Sequence, residues 1–111
     1  MADSVMELRY DPWKQNWITA LKRLGPAPRG VSLDHDRLRV VGLLVTGMPW
    51  IFHVTDTEGG RVEGGVEIIL SPGKALDTGL FFVESWEDVF EALARLEADY
   101  REWRQAKEVS A

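Results

Sequence analysis

A histidine and two glutamates on neighbouring predicted strands are the side chains of this 111-residue chain that could act together chemically. His53 lies in the predicted strand 50–56, and Glu63 and Glu67 lie in the predicted strand 61–70. An imidazole beside carboxylates can transfer protons near neutral pH or hold a small polar ligand. These three residues therefore form a candidate small-molecule or proton-transfer site.

The turn between those two strands decides how the three side chains are placed. Apolar residues alternate with polar ones in both runs, and directly opposed residues of an antiparallel pair lie on the same face. A three-residue loop at 57–59 would bring the apolar residues of both strands to the core. This register predicts that Val54 lies opposite Val62 and that His53 lies opposite Glu63 on the outer face.

Other motifs that carry chemistry are absent from the sequence. It contains no cysteine, no HExxH pattern, no glycine-rich phosphate loop and no serine in a nucleophile elbow. His35, between Asp34 and Asp36, is interpreted as part of a solvated turn, because adjacent residues point in different directions. We therefore expect no metal and no cofactor, and catalysis is the less favoured interpretation.

Two helices and a group of strands must position these residues. Asp11, followed by a proline, is a typical helix start, and the pattern predicts a helix over 12–24. Trp13 and Trp17 recur at helical spacing and are predicted to lie in the core. Trp50, at the start of its strand, is predicted to be a core residue as well.

Residues 31–83 have the pattern of four to five strands joined by short turns. Short turns favour an antiparallel sheet, because parallel crossovers need a dozen or more residues. The run 37–46 is apolar on both faces and is predicted to be a central strand covered on both sides. A capping-box pattern then begins a long second helix over 86–107. The predicted class is α+β, and the length fits a single domain over 1–111.

The second helix carries the argument for an interaction surface. Its 22 predicted residues would be about 33 Å long, whereas a five-strand sheet is about 24 Å wide. Its last two turns are therefore predicted to extend past the sheet, and its apolar seam ends there in Tyr100 and Trp103. Together with the acids Glu87, Glu91 and Asp99, these are the candidate partner-binding residues.

The outer face of the sheet gives a second, independent indication of an interaction surface. Val41, Leu43 and Ile51 share that face with charged residues. A mixed face of this kind is either covered by the first helix or used as an interface.

Charge is distributed unevenly along the chain. The net charge is −5, with a net +4 over 9–39 and a net −5 over 84–102. The acidic helix favours a protein partner with a basic surface, or a second copy bound through the C-terminal helix. Nucleic acid is an unlikely partner, because stacking on bases would need Tyr10, Trp13 and Trp17 to be exposed. No apolar run is long enough to span a membrane, so we expect no membrane contact and a cytoplasmic location.

We interpret the chain as a small acidic, soluble protein-binding domain of the inhibitor, immunity-type or chaperone/adaptor kind. It would act through surface complementarity and not through catalysis, and this is an association at the level of class. The alternative is a small-molecule-binding domain or minor enzyme with a pocket on the sheet near His53 and Glu63. A pocket lined by these residues would favour the alternative, whereas an apolar patch rimmed by acids would favour protein binding.

Overall fold

A computed structural model describes residues 11–110, with side chains for residues 11–107. An N-terminal helix is followed by six strands and a long C-terminal helix, which confirms the predicted α+β class. In chain order the elements are α1 (Pro12–Leu24), β1 (Ser32–Asp34), β2 (Arg39–Leu43), β3 (Pro49–Asp56), β4 (Val62–Ser71), β5 (Lys74–Asp77), β6 (Phe81–Phe82) and α2 (Trp86–Ser110).

The sheet is antiparallel throughout, in the order β1-β2-β3-β4-β5. The ten-residue strand β4 pairs with β5 along one part of its length and with β6 along another, so β5 and β6 follow one another along the same strand. The sequence pattern does not indicate β5, because this strand is four residues long and mostly exposed. The sheet therefore has one strand more than the four to five predicted.

The register of β3 against β4 differs by two positions from the prediction. His53 lies opposite Gly65, and Glu63 lies opposite Thr55. The turn is longer than three residues because the Thr57 N–H donates to the Arg61 carbonyl at 2.9 Å, and the Thr57 hydroxyl donates to the same oxygen at 3.0 Å. An even shift leaves every side chain on its predicted face, so the predicted faces are right and the predicted pairs are wrong.

Both helices pack on one face of this sheet. Trp17, Ala20 and Leu24 of α1 join a single cluster of buried residues with the inner face of β2, β3 and β4 and with α2. The two helices are linked directly, since the Trp86 indole N–H donates to the carbonyl of Gly25 at 3.2 Å. This indole satisfies a backbone carbonyl just past the end of α1.

Two burial predictions are wrong. Trp13 is 72% exposed, because the whole first turn of α1 is exposed and packing begins only at Trp17. The apolar run 37–46, of which only Arg39–Leu43 forms the strand β2, is covered on one side only: Val40 is buried, whereas Leu43 is 70% exposed and Val45 is fully exposed. Helix α1 therefore does not cover the outer face of the sheet.

Within the described part of the chain, no helix combines the length and the apolar character that crossing a membrane requires.

Candidate functional site

The sheet brings His53, Glu63 and Glu67 to the same outer face but joins only two of them. The His53 Nε2 lies 3.3 Å from the Glu67 Oε1, a diagonal contact across β3 and β4. Glu63 lies on the other side of Gly65, the residue opposite His53. The His53 side chain is 55% exposed, so this is a surface contact between an imidazole and a carboxylate, of a kind worth under about 1 kcal/mol.

The outer face also has a broad depression, and it lies away from that pair. It has a volume of about 760 Å³ and is lined by Gly30, Ser32, Arg39, Val41, Gly42, Leu43, Pro49, Trp50, Ile51 and Ile69. Neither His53 nor a carboxylate is among these residues. Across residues 11–107, no cluster of three or more histidines and acids could hold a metal ion. The depression therefore does not include the contact between His53 and Glu67 on which the small-molecule alternative depends.

The turn around His35 is held by its neighbour Asp34. The Asp34 carboxylate accepts hydrogen bonds from the Arg39 Nε at 3.1 Å and from the Arg37 N–H at 3.2 Å. Desolvation acts to raise the pKa of Asp34, but the two hydrogen bonds and the charges of Arg39 and Arg37 outweigh it and hold the pKa below its ordinary value. His35 itself is exposed and packs edge-on against Trp17, with ring centroids 5.2 Å apart.

The candidate interaction helix α2 begins at a cap made by its own acid. The Asp88 Oδ2 accepts hydrogen bonds from the Glu84 N–H at 2.8 Å and the Ser85 N–H at 3.3 Å, which is the backward contact of a capping box. From Trp86 onward the helix buries one face against the sheet, through Val89, Leu93 and Leu96.

The end of α2 is exposed, as its length predicts. Tyr100 is half-buried, whereas Trp103 is 54% exposed. The two rings stack with centroids 6.0 Å apart, and the Lys107 Nζ lies 5.0 Å from the centre of the Trp103 ring. The aromatic end of the helix thus carries a positive charge directly over its exposed ring.

A groove runs between α2 and the chain segment 77–84. It has a volume of about 630 Å³, and its apolar lining is made by Phe81, Phe82, Ala92 and Leu96. Five carboxylates and one guanidinium surround that lining, from Asp77, Glu84, Asp88, Glu91, Asp99 and Arg95. We call this feature the acidic groove. Apolar and acidic side chains therefore line the same groove.

The carboxylates of the acidic groove differ in whether they already make hydrogen bonds or ion pairs within the chain. The Asp77 Oδ1 accepts a hydrogen bond from the Gly79 N–H at 2.9 Å, and Asp88 caps α2. Glu91 pairs with Arg95 at 3.3 Å, four residues along the helix. Among the described residues, the carboxylates of Glu84 and Asp99 have no hydrogen-bond or ion-pair partner. These two carboxylates are the most available to a ligand.

The wall of the groove opposite α2 is built by a turn at Thr78 and Gly79. The Thr78 N–H donates to the Val66 carbonyl at 3.0 Å, and the Thr78 hydroxyl accepts from the Val66 N–H at 3.1 Å. Gly79 continues the turn with a positive φ of 70°, which glycine adopts without strain. This turn ends β5 and directs the chain along β4 as β6, and the two phenylalanines of β6 then line the groove.

The predicted partner-binding residues divide between two places. Glu91 and Asp99 line the acidic groove, whereas Tyr100 and Trp103 form the exposed end of α2. Glu87 is exposed and lies outside the groove lining. Sequence reasoning missed the groove residues Asp77, Phe81, Phe82, Glu84 and Asp88, although two adjacent phenylalanines close to an acidic helix were a visible signal.

Comparisons of the chain with protein-family models, with curated proteins and with solved structures found no match. The function must therefore be argued from the geometry of the site alone.

Proposed function

We propose that this chain is a protein-binding domain whose acidic groove takes a basic segment of a partner protein, anchored by an apolar side chain. The observation that carries the proposal is the composition of the groove, in which the apolar residues Phe81, Phe82, Ala92 and Leu96 lie among five carboxylates. Apolar contact supplies affinity to such a segment, and the carboxylates select its charge and speed its approach.

The availability of the rim supports a cationic ligand. The carboxylates of Glu84 and Asp99 have no partner within residues 11–107, and the one guanidinium in the groove is already paired with Glu91. A lysine or arginine of the partner would therefore meet carboxylates that need no rearrangement. Phe82 is 49% exposed and already holds a cation of this chain, since the Arg61 guanidinium lies 3.6 Å from the centre of its ring.

The proposal can be tested with a random peptide library displayed against the purified chain. We expect the selected pool to be enriched in lysine or arginine next to an aromatic or aliphatic residue. The tightest peptide, labelled and measured by fluorescence anisotropy, should bind more weakly as NaCl is raised, because exposed charge pairs are screened.

A charge-matched pair of variants shows where the peptide binds. The variant Glu84→Lys with Asp99→Lys reverses the two available groove acids and should weaken binding by about tenfold or more. The control Glu58→Lys with Glu102→Lys makes the same change in net charge at exposed residues outside the groove lining. Equal weakening in both variants, or a pool without basic enrichment, would overturn the proposal.

A further inference from the structure

The exposed end of α2 has the chemistry that the acidic groove accepts. Trp103 offers a half-exposed indole, and the Lys107 ammonium lies over its ring. An aromatic side chain next to a lysine is the type of segment proposed above as the ligand of the groove. The helix therefore carries an acceptor near its beginning and a matching ligand near its end.

Lys107 and the beginning of the acidic groove, at Asp88, cannot meet within one chain, although Asp99 at the other end of the groove lies one helical turn before Trp103. Both lie on the same helix, and from Asp88 to Lys107 the helix rises about 28 Å at about 1.5 Å per residue. A straight helix cannot fold back on itself. Only a second molecule can bring a Lys107 to an Asp88.

The charge order along α2 selects the orientation of that second molecule. Acids occupy its first turn, at Glu87 and Asp88, whereas residues 101–108 carry three basic residues against two glutamates. An antiparallel pair of helices places each basic end beside the acidic beginning of the other and also opposes the two helix dipoles. A parallel pair would place like charges together.

We propose that two copies of this chain associate through antiparallel α2 helices, with Trp103 and Lys107 of each copy in the acidic groove of the other. The arrangement has two-fold symmetry, so each favourable contact is made twice. The inference rests on the proposed function, since it assigns the same groove a second occupant. Self-association then competes with the partner protein and regulates the site by concentration.

Sedimentation equilibrium of the full chain over a concentration series tests the dimer. We expect the wild-type chain to dimerise reversibly, and Lys107→Glu and Glu84→Lys each to weaken dimerisation by about tenfold or more. Each variant alone opposes like charges in both contacts of the homodimer.

An equimolar mixture of the two variants provides the sharpest measurement. In the mixed dimer, the carboxylate introduced by Lys107→Glu on one chain meets the ammonium introduced by Glu84→Lys on the other. The second contact keeps the native Lys107 and Glu84. The mixture should therefore recover close to wild-type association. The Glu58→Lys chain has the same net charge as the Glu84→Lys chain but forms its own dimer, so the control follows a fluorescently labelled Lys107→Glu chain, which should associate with Glu58→Lys more weakly than with Glu84→Lys.

The outcomes separate this inference from the proposed function. A monomeric wild-type chain, or a mixture that associates no better than its components, overturns the dimer. The Lys107→Glu variant keeps every residue of the groove, so its binding of the selected peptide reports on the groove alone. Peptide binding by that variant together with a monomeric wild type would leave the proposed function standing and remove only the self-association.

Discussion

Asp88 shows how one carboxylate can serve two purposes in this molecule. One of its oxygens accepts two backbone N–H groups and fixes the start of α2, and the same side chain lines the acidic groove. Replacing it would remove a helix cap worth about 0.5–2 kcal/mol along with a binding group. For this reason Glu84 and Asp99, whose carboxylates make no structural bond among the described residues, are the better positions for testing the groove.

Gly64 is a residue whose missing side chain is required. A Cβ at this position would lie 2.5 Å from the His53 carbonyl oxygen and 2.6 Å from the Phe52 ring. We expect Gly64→Ala to lower the free energy of unfolding by about 1–3 kcal/mol, because the packed strand and ring must move apart. Gly59→Ala is the control, since its Cβ would meet only the Thr57 hydroxyl at 4.0 Å. Urea unfolding compares the two, and a Gly64→Ala chain as stable as the control would contradict the packing described.

Asp34 gives the fold a predictable response to acid. Its pKa in the folded chain lies below its ordinary value of 3.8, so the unfolded chain binds the proton more tightly. The stabilisation is therefore complete above that ordinary value and is lost as the pH falls through the folded pKa. Asp34→Asn should be less stable near neutral pH and should lose less stability on acidification.

Urea midpoints measured from about pH 6 down to about pH 2 check this expectation. The control is Asp36→Asn, a change in the same turn at an acid that makes no ion pair within the described residues. If the urea midpoints of the wild type and Asp34→Asn changed with pH in parallel, the Asp34–Arg39 pair would not contribute to the pH dependence of stability.

Helix α2 packs against the sheet along its first part and is exposed to solvent along its last part. Its first three turns bury Trp86, Val89, Leu93 and Leu96, and residues 101–107 are exposed. The change from packing to exposure happens within one helix of continuous hydrogen bonding. A helix can extend past its support in this way because its backbone bonds are satisfied internally.

The two tryptophans of α2 should respond differently to truncation. Trp103→Ala should change the free energy of unfolding by no more than about 0.5 kcal/mol, as expected of an exposed residue. Trp86→Ala, in the same helix but only 8% exposed, should cost about 3–5 kcal/mol. Thermal melts measure the folding effect, and sedimentation measures the association effect. Trp103 would be a core residue if its loss lowered the melting temperature as much as the loss of Trp86.

At the scale of the whole molecule, the packing is one-sided. Both helices share a single buried cluster with the inner face of the sheet, whereas the outer face carries exposed apolar residues such as Leu43. A single shared core implies that the helices and the sheet lose their structure together.

Leu93→Asp should therefore unfold the whole molecule and not α2 alone. Leu93 is 4% exposed, and an unpaired carboxylate buried there costs several kcal/mol. Leu80→Asp is the matched control, at a leucine that is 70% exposed. Far-ultraviolet circular dichroism and tryptophan fluorescence should change together in the first variant and hardly at all in the second. A variant that lost only part of its helical signal would argue against the shared core.

The α+β class, both helices and the faces of β3 and β4 could be predicted from sequence patterns. Local signals are sufficient for these features: the Asp11-Pro12 start, the capping box at Asp88 and the alternation of apolar residues depend on neighbours in the chain. The exposed position of Trp103 could also be predicted, because the number of helical residues gives the length of the helix, and that length exceeds the width of the sheet.

The register of β3 against β4, the exposure of Trp13 and the composition of the acidic groove could not be predicted, because they depend on contacts between distant parts of the chain. The register depends on a hydrogen bond between Thr57 and Arg61 that closes a longer turn. A shift by two residues keeps the same alternation of apolar and polar residues, so the sequence pattern cannot distinguish the two registers. Trp13 has the same helical spacing as Trp17, and only the extent of the sheet beneath α1 separates them. The groove joins carboxylates of α2 to Phe81 and Phe82 across a sheet edge. Contacts between distant segments are fixed by packing and strand pairing, which no short window of sequence contains.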